Sequence, residues 1–92
     1  MRIYELALVL KPSLSVIERK KIKSEIKNIL KGLKLTEEKE IGEKQLNYKI
    51  KKETMGYYID LEFEGETPVP SDFERKLLID ENVLRHLLIR RK

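Results

Sequence analysis

Over residues 2–10 (RIYELALVL) apolar and other positions alternate, predicting a strand with Tyr4, Leu6, Leu8 and Leu10 on one face and Ile3, Glu5, Ala7 and Val9 on the other. Lys11-Pro12-Ser13 ends it, because proline has no N–H to give to a ladder. The apolar period then lengthens to that of a helix. Ser15 and Glu18 make the Ser-x-x-Glu spacing of a capping box, so a helix is expected from Val16. Ile22, Ile26, Ile29, Leu30 and Leu33 draw its core stripe, and Gly32 is expected to supply a left-handed stop. Lys20, Lys23, Lys27 and Lys31 line the opposite side at helical spacing.

Residues 35–41 are thick with Glu and Lys and show no period. From Lys44 alternation resumes, with Leu46, Tyr48 and Ile50 on the face assigned to the core and Gln45, Asn47 and Lys49 opposite. Gly42 is expected to be a bulge or bend within one long strand. Residues 51–56 make a polar loop closing a hairpin, after which Tyr57, Ile59, Leu61 and Phe63 alternate with Tyr58, Asp60, Glu62 and Glu64. Gly65 to Pro70 is a turn. A short helix follows, started either by Thr67 ahead of Pro68 or by Ser71 and Glu74 as a second capping box, with Phe73, Leu77 and Leu78 on its apolar side. Residues 83–90 make a last strand whose faces stay unassigned, because Leu87, Leu88 and Ile89 run together. Strand, helix, strand, strand, helix, strand is the order of a ferredoxin-like α+β domain. It predicts one domain over residues 1–92, a four-stranded antiparallel sheet with both helices on one face.

The other sheet face is left open, and alternation says what it carries. Ile3, Glu5, Ala7, Tyr58, Asp60 and Glu62 point outward, an acidic surface with apolar residues among the carboxylates. Sheets that read RNA put aromatic and basic residues there. Carboxylates repel phosphate, so this face is a candidate dock for a basic protein. Positive charge gathers elsewhere, at Arg2, Lys44, Lys49, Lys51, Lys52, Arg85, Arg90, Arg91 and Lys92. Arg2 opens one strand and Arg90 to Lys92 close its expected neighbour, so these sets can meet at one sheet end and grip an RNA backbone by charge.

Composition narrows the chemistry further. The 92 residues suit one small core, and 40% apolar against 39% charged suits a charged partner. Twenty Lys and Arg against 16 Asp and Glu give +4, a mild preference for nucleic acid. No cysteine is present and His86 is the single histidine, so thiol chemistry and His-based metal clusters are excluded. The carboxylates between Glu37 and Glu43 alternate with Lys39 and precede Lys44, and the four glycines are isolated, so neither an acid–base pair nor a phosphate-cradling loop is apparent. No enzyme activity, cofactor, metal or small-molecule substrate is expected. Neither a signal peptide nor a membrane span is apparent, and the expected setting is cytoplasmic.

The run from Gly42 to Lys52 (GEKQLNYKIKK), followed by Gly56-Tyr57-Tyr58, resembles the central signature of the bacterial small-subunit ribosomal protein S6 family. Arg2-Ile3-Tyr4-Glu5 with Pro12 resembles that family's first strand, and residues 79–85 (IDENVLR) with Arg90 resemble its last junction. The resemblance covers the chain end to end. It implies a ribosomal structural protein that binds the central domain of 16S ribosomal RNA together with the basic ribosomal protein S18. Gln45 stands where a basic residue is usual, Asn47 where alanine is, and Lys49 where proline is. Two other classes compete: a stand-alone interaction or regulatory module that self-associates through its open sheet, and, ranked last, an acyl-phosphate hydrolase-like enzyme.

Overall fold

The chain folds in the order β1 (Arg2–Leu10), α1 (Val16–Ile29), β2 (Lys34–Ile50), β3 (Glu53–Gly65), α2 (Phe73–Ile79) and β4 (Val83–Arg90), in a computed structural model that describes residues 1–91. The strands form one antiparallel sheet in the order β2-β3-β1-β4, the ferredoxin-like arrangement. β1 pairs with β3 without a break, from Arg2 opposite Gly65 to Leu10 opposite Tyr57. Because the side-chain period is two, this register puts Tyr4, Leu6, Leu8 and Leu10 beside Phe63, Leu61, Ile59 and Tyr57 on one face. Ile22 and Ile26 of α1 and Phe73 and Leu77 of α2 join that face in a single core. Full burial of each such side chain contributes about 1.5–3 kcal/mol.

The capping box of α1 is made as its spacing predicts: Ser15 Oγ accepts from the Glu18 N–H, and Glu18 Oε1 accepts from the Ser15 N–H. The helix end differs from expectation. It stops at Ile29 with Leu30 as C-cap, and Gly32 does not take a left-handed conformation. Close approach is what occupies Gly32. A Cβ there would lie 2.6 Å from Thr67 Oγ1, whose hydroxyl donates to the Gly32 carbonyl at 2.8 Å. The start of α2 also differs, since its N-cap is Asp72 and neither Thr67-Pro68 nor a Ser71–Glu74 box begins it. Residues 71–72 form a turn, with the Phe73 N–H bonded to the Pro70 carbonyl, so Ser71 lies ahead of the helix entrance. Phe73 and Leu77 are buried as expected, whereas Leu78 is 67% exposed on the far side.

β2 is one long strand with the bulge expected at Gly42, whose φ of 107° glycine adopts without strain. The hairpin turn is tighter than the expected polar loop. Only Lys51 and Lys52 turn, both at positive φ (49° and 69°), the pattern of a type I′ turn, while residues 53–56 already belong to β3. Tyr48 is 73% exposed and not a core residue, and Leu46 and Ile50 are only half-buried. The Gly42 bulge shifts the phase of the strand: Lys44 pairs with Gly56 on the side of Tyr58, so Leu46 falls on the open face beside Val9 and not on the expected core side.

Candidate partner-protein and nucleic-acid surfaces

The register places Ile3, Glu5, Ala7 and Val9 opposite Glu64, Glu62, Asp60 and Tyr58, so the open face carries the residues that alternation assigns to it. β4 adds two that its unbroken apolar run concealed. Leu88 pairs with Leu6 on the core side, which turns Leu87 (55% exposed) and Ile89 (42%) onto the open face. Pairing partners, not periodicity, are what reveal them.

The acidic part of this face is already engaged within the chain. Arg91 Nη2 donates to Glu5 Oε1 at 2.7 Å and Arg91 Nε to the same oxygen at 3.2 Å. This guanidinium, with a further contribution from the neighbouring Asp60 carboxyl, holds Glu5 below the usual carboxylate range. Burial, and then the hydrogen bond with Glu5, push Asp60 the other way, upward. One Asp60 oxygen is buried without a hydrogen-bond partner. Glu5, Glu37, Lys39, Asp60, Glu62 and Arg91 together line a cleft of about 210 Å³. Lys39 belongs to the stretch of β2 that showed no period, and its pairing with Asp60 brings it there.

The basic candidates divide between the two ends of the sheet. Arg2 and Arg90 flank Tyr4 on the helix side, where the Arg2 guanidinium lowers the Tyr4 hydroxyl below its usual value despite burial. Arg91 lies beside them, its backbone N–H bonded to the Ile3 carbonyl and its side chain turned onto the open face. Lys92 lies outside the described residues. Lys44, Lys49, Lys51 and Lys52 sit at the opposite end, joined by Arg85, which pairs with Val9. Seven residue steps along β1 separate Arg2 from Val9, roughly 23 Å of strand. At the hairpin end Lys51 is already occupied, its ammonium donating to the Val83 carbonyl at 3.1 Å. Lys44, Lys49, Lys52 and Arg85 make no ion pair among the described residues.

The lysine stripe of α1 is not a continuous basic surface. Lys23 is 6% exposed and donates to Glu38 and Glu40 of β2, while Lys27 lies 3.6 Å from Glu38. Arg19 stacks over the Tyr57 ring at 4.0 Å from its centroid, and the Tyr57 hydroxyl donates to Glu40 at 2.9 Å. His86 is half-buried against Glu74 at 3.1 Å, a strand residue with one surface partner.

Comparison with known proteins agrees with this geometry. The family model for ribosomal protein S6 matches residues 3–90. The small ribosomal subunit protein bS6 of Thermoanaerobacter pseudethanolicus is 38% identical over 92 residues, covering 98% of this chain and 97% of that protein. The protein of the same name from Clostridioides difficile is 34% identical over 90 residues, covering 97% and 98%. The crystal structure of the 30S ribosomal protein S6 of Thermotoga maritima superimposes with a TM-score of 0.86 at 24% identity, covering 98% of this chain and 87% of that one, which shows the shared fold. This chain belongs to the ribosomal protein S6 family, and is a non-enzymatic component of the small ribosomal subunit.

Proposed function

We propose that this protein binds the central domain of 16S ribosomal RNA jointly with the basic ribosomal protein S18, using its hairpin end for RNA and its open sheet face for the partner. The observation that carries this is the separation of charge along the open face. Carboxylates Glu5, Asp60 and Glu62 occupy its middle, while Lys44, Lys49, Lys52 and Arg85 stand at one end without acidic partners among the described residues. Cations free of internal pairing can replace the counterions of a phosphate backbone. Leu87, Ile89, Ala7 and Ile3 add apolar area next to the carboxylates, the composition of a protein interface facing a basic partner.

The test is a titration of this chain, with and without S18, against a central-domain RNA fragment at several salt concentrations. Binding is expected to be tightest with both proteins and to weaken with salt. Lys44→Gln, Lys49→Gln and Lys52→Gln should each reduce the salt slope by about one unit. Unchanged slopes in all three variants would remove the hairpin end from the RNA surface. Self-association with no response to S18 would favour a stand-alone module instead.

A further inference from the structure

Tyr48 lies in a place that neither packing nor the sheet accounts for. Between the pairs Gln45–Met55 and Ile50–Glu53, β2 holds four residues and β3 holds only Thr54. Residues 46–49, three more than the facing strand holds, bulge out of the ladder and carry Tyr48 into solvent, 73% exposed. The other three tyrosines are spoken for: Tyr4 is buried, Tyr57 lies under Arg19, and Tyr58 is half-buried. One exposed aromatic alone would say little. Its surroundings say more. Tyr48, Asn47, Tyr58 and Arg85 stand around a hollow of about 80 Å³ whose lining includes Val9 and Leu46. No carboxylate lines it. Gly56 keeps this lining together, because a Cβ there would come within 2.4 Å of Val9 Cγ1 and 3.1 Å of Leu46 Cδ2.

We infer that this hollow receives one unpaired nucleotide, with the base laid on the Tyr48 ring and its phosphates among Lys44, Lys49 and Arg85. Every base has a π-face, so a solvent-facing ring is a ready stacking partner. The Asn47 amide both donates and accepts, as a base edge requires. A base inside a helix offers no free face, so the occupant is an unpaired residue in a loop, bulge or junction. The surrounding charge favours RNA over a basic protein here, because the nearest acidic cleft lies farther along the sheet, around Glu5 and Asp60. This inference rests on the RNA-binding function proposed above.

The experiment uses the full chain with S18 and the central-domain RNA fragment. Tyr48→Ser should weaken RNA binding roughly 5- to 150-fold, the range for loss of one stacked base, with an unchanged salt slope. Tyr48→Phe, which keeps the ring, should bind within about twofold of the parent. The chain contains no tryptophan, so the Tyr48→Trp variant reports directly: its indole emission should be quenched on adding RNA and not on adding S18 alone. Because Tyr48 is exposed, thermal melting should be the same for all three variants. Parental affinity in Tyr48→Ser, alongside reduced salt slopes for the lysine variants, would overturn the inference and leave the RNA-binding function standing. Loss of S18 binding with RNA binding intact would also overturn it, by making the hollow a protein contact. Failure of the parent chain to bind this RNA with S18 would instead overturn the proposed function itself.

Discussion

The Lys23 ammonium lies 2.8 Å from the Glu38 carboxylate, tying the middle of α1 to the edge strand β2. Glu40 accepts from the same ammonium at 3.0 Å. Burial opposes the charge on Lys23, yet the two carboxylates outweigh it and hold the lysine above its ordinary value. Helix and strand meet here through polar groups, and the arrangement is fully paired. Losing one carboxylate leaves the other in place. The double variant Glu38→Gln/Glu40→Gln leaves a buried ammonium with neutral acceptors at best, and should cost at least about 1–3 kcal/mol. Urea unfolding measures this, and a double-variant loss equal to the sum of the two single losses would show that the pair does not share one cation.

The same contact sets an acid limit. Glu38 and Glu40 are both lowered, first by the Lys23 hydrogen bond, and Glu5 is lowered first by Arg91. A carboxylate lowered by folding stabilises the fold above its unfolded value, and that contribution is lost as pH falls through the folded value. Stability should therefore decline below about pH 4.5, the ordinary value for these groups. The double Gln variant should show a flatter acid limb. Equal acid limbs in the parent and the variant would assign the decline to other groups.

Asp60 has the opposite sign. Its pKa is raised, by burial first and then by Glu5, so its ionised form costs stability at every pH above the folded value. The cost fades as pH falls through that folded value towards the unfolded one. Asp60→Asn should then stabilise the protein at pH 7 by more than at pH 4, since the amide is uncharged and can donate to Glu5. Urea midpoints at the two pH values test this, and a variant less stable than the parent at pH 7 would contradict it. The carboxylate is retained against its own stability, which suits a residue that faces a cationic partner.

Much of this was legible in the chain. Strict alternation in β1 and β3 is enough to assign both sheet faces, and Ser15 with Glu18 is enough to start α1. What stayed hidden depends on residues far apart in sequence. Alternation from Lys44 assigns Leu46, Tyr48 and Ile50 to the core side, but the bulge at Gly42 shifts the phase, and these residues line a hollow with Val9 and Tyr58 of the open face. Lys23 sits on a helical stripe with Lys27, and only the approach of β2 turns it into a buried cation. Leu87 and Ile89 were unassignable within an apolar triplet until pairing of Leu88 with Leu6 set the phase. The basic residues formed one list in sequence, and strand direction separates them into two ends.

Lys51 and Lys52 occupy the two left-handed positions of the hairpin turn, where glycine or asparagine fits better. Lys51 has a structural contact with the Val83 carbonyl, whereas Lys52 has no hydrogen bond or ion pair among the described residues. Lys52→Gly should relieve the positive φ and stabilise the protein by about 0.5–1 kcal/mol. Its RNA affinity should nevertheless fall, with a salt slope reduced by about one unit. Opposite movement of melting temperature and affinity is the expected signature. A variant that gains stability and keeps its full salt slope would show that the lysine is not held there for phosphate.

The open face supplies the last prediction, and its structure decides which carboxylate to probe. Asp60 is entangled with Glu5 and has a buried oxygen, and Glu5 is held by Arg91, so a lysine at either position would disturb the fold as well as the surface. Glu62 is simpler. It pairs with Glu5 across the strands, lines the same cleft, and its carboxylate accepts a hydrogen bond from the exposed Thr36 hydroxyl. Glu62→Lys should leave the melting temperature nearly unchanged while weakening association with S18. Like charge on a basic partner acts at long range, so the loss should appear first in the association rate and shrink as salt rises. Lys44→Glu, at the hairpin end, should leave S18 association unaffected and weaken RNA binding instead. Stopped-flow association with S18 at low and moderate salt distinguishes them. Parental rates for Glu62→Lys at both salts would mean that the acidic cleft is not where the basic partner docks.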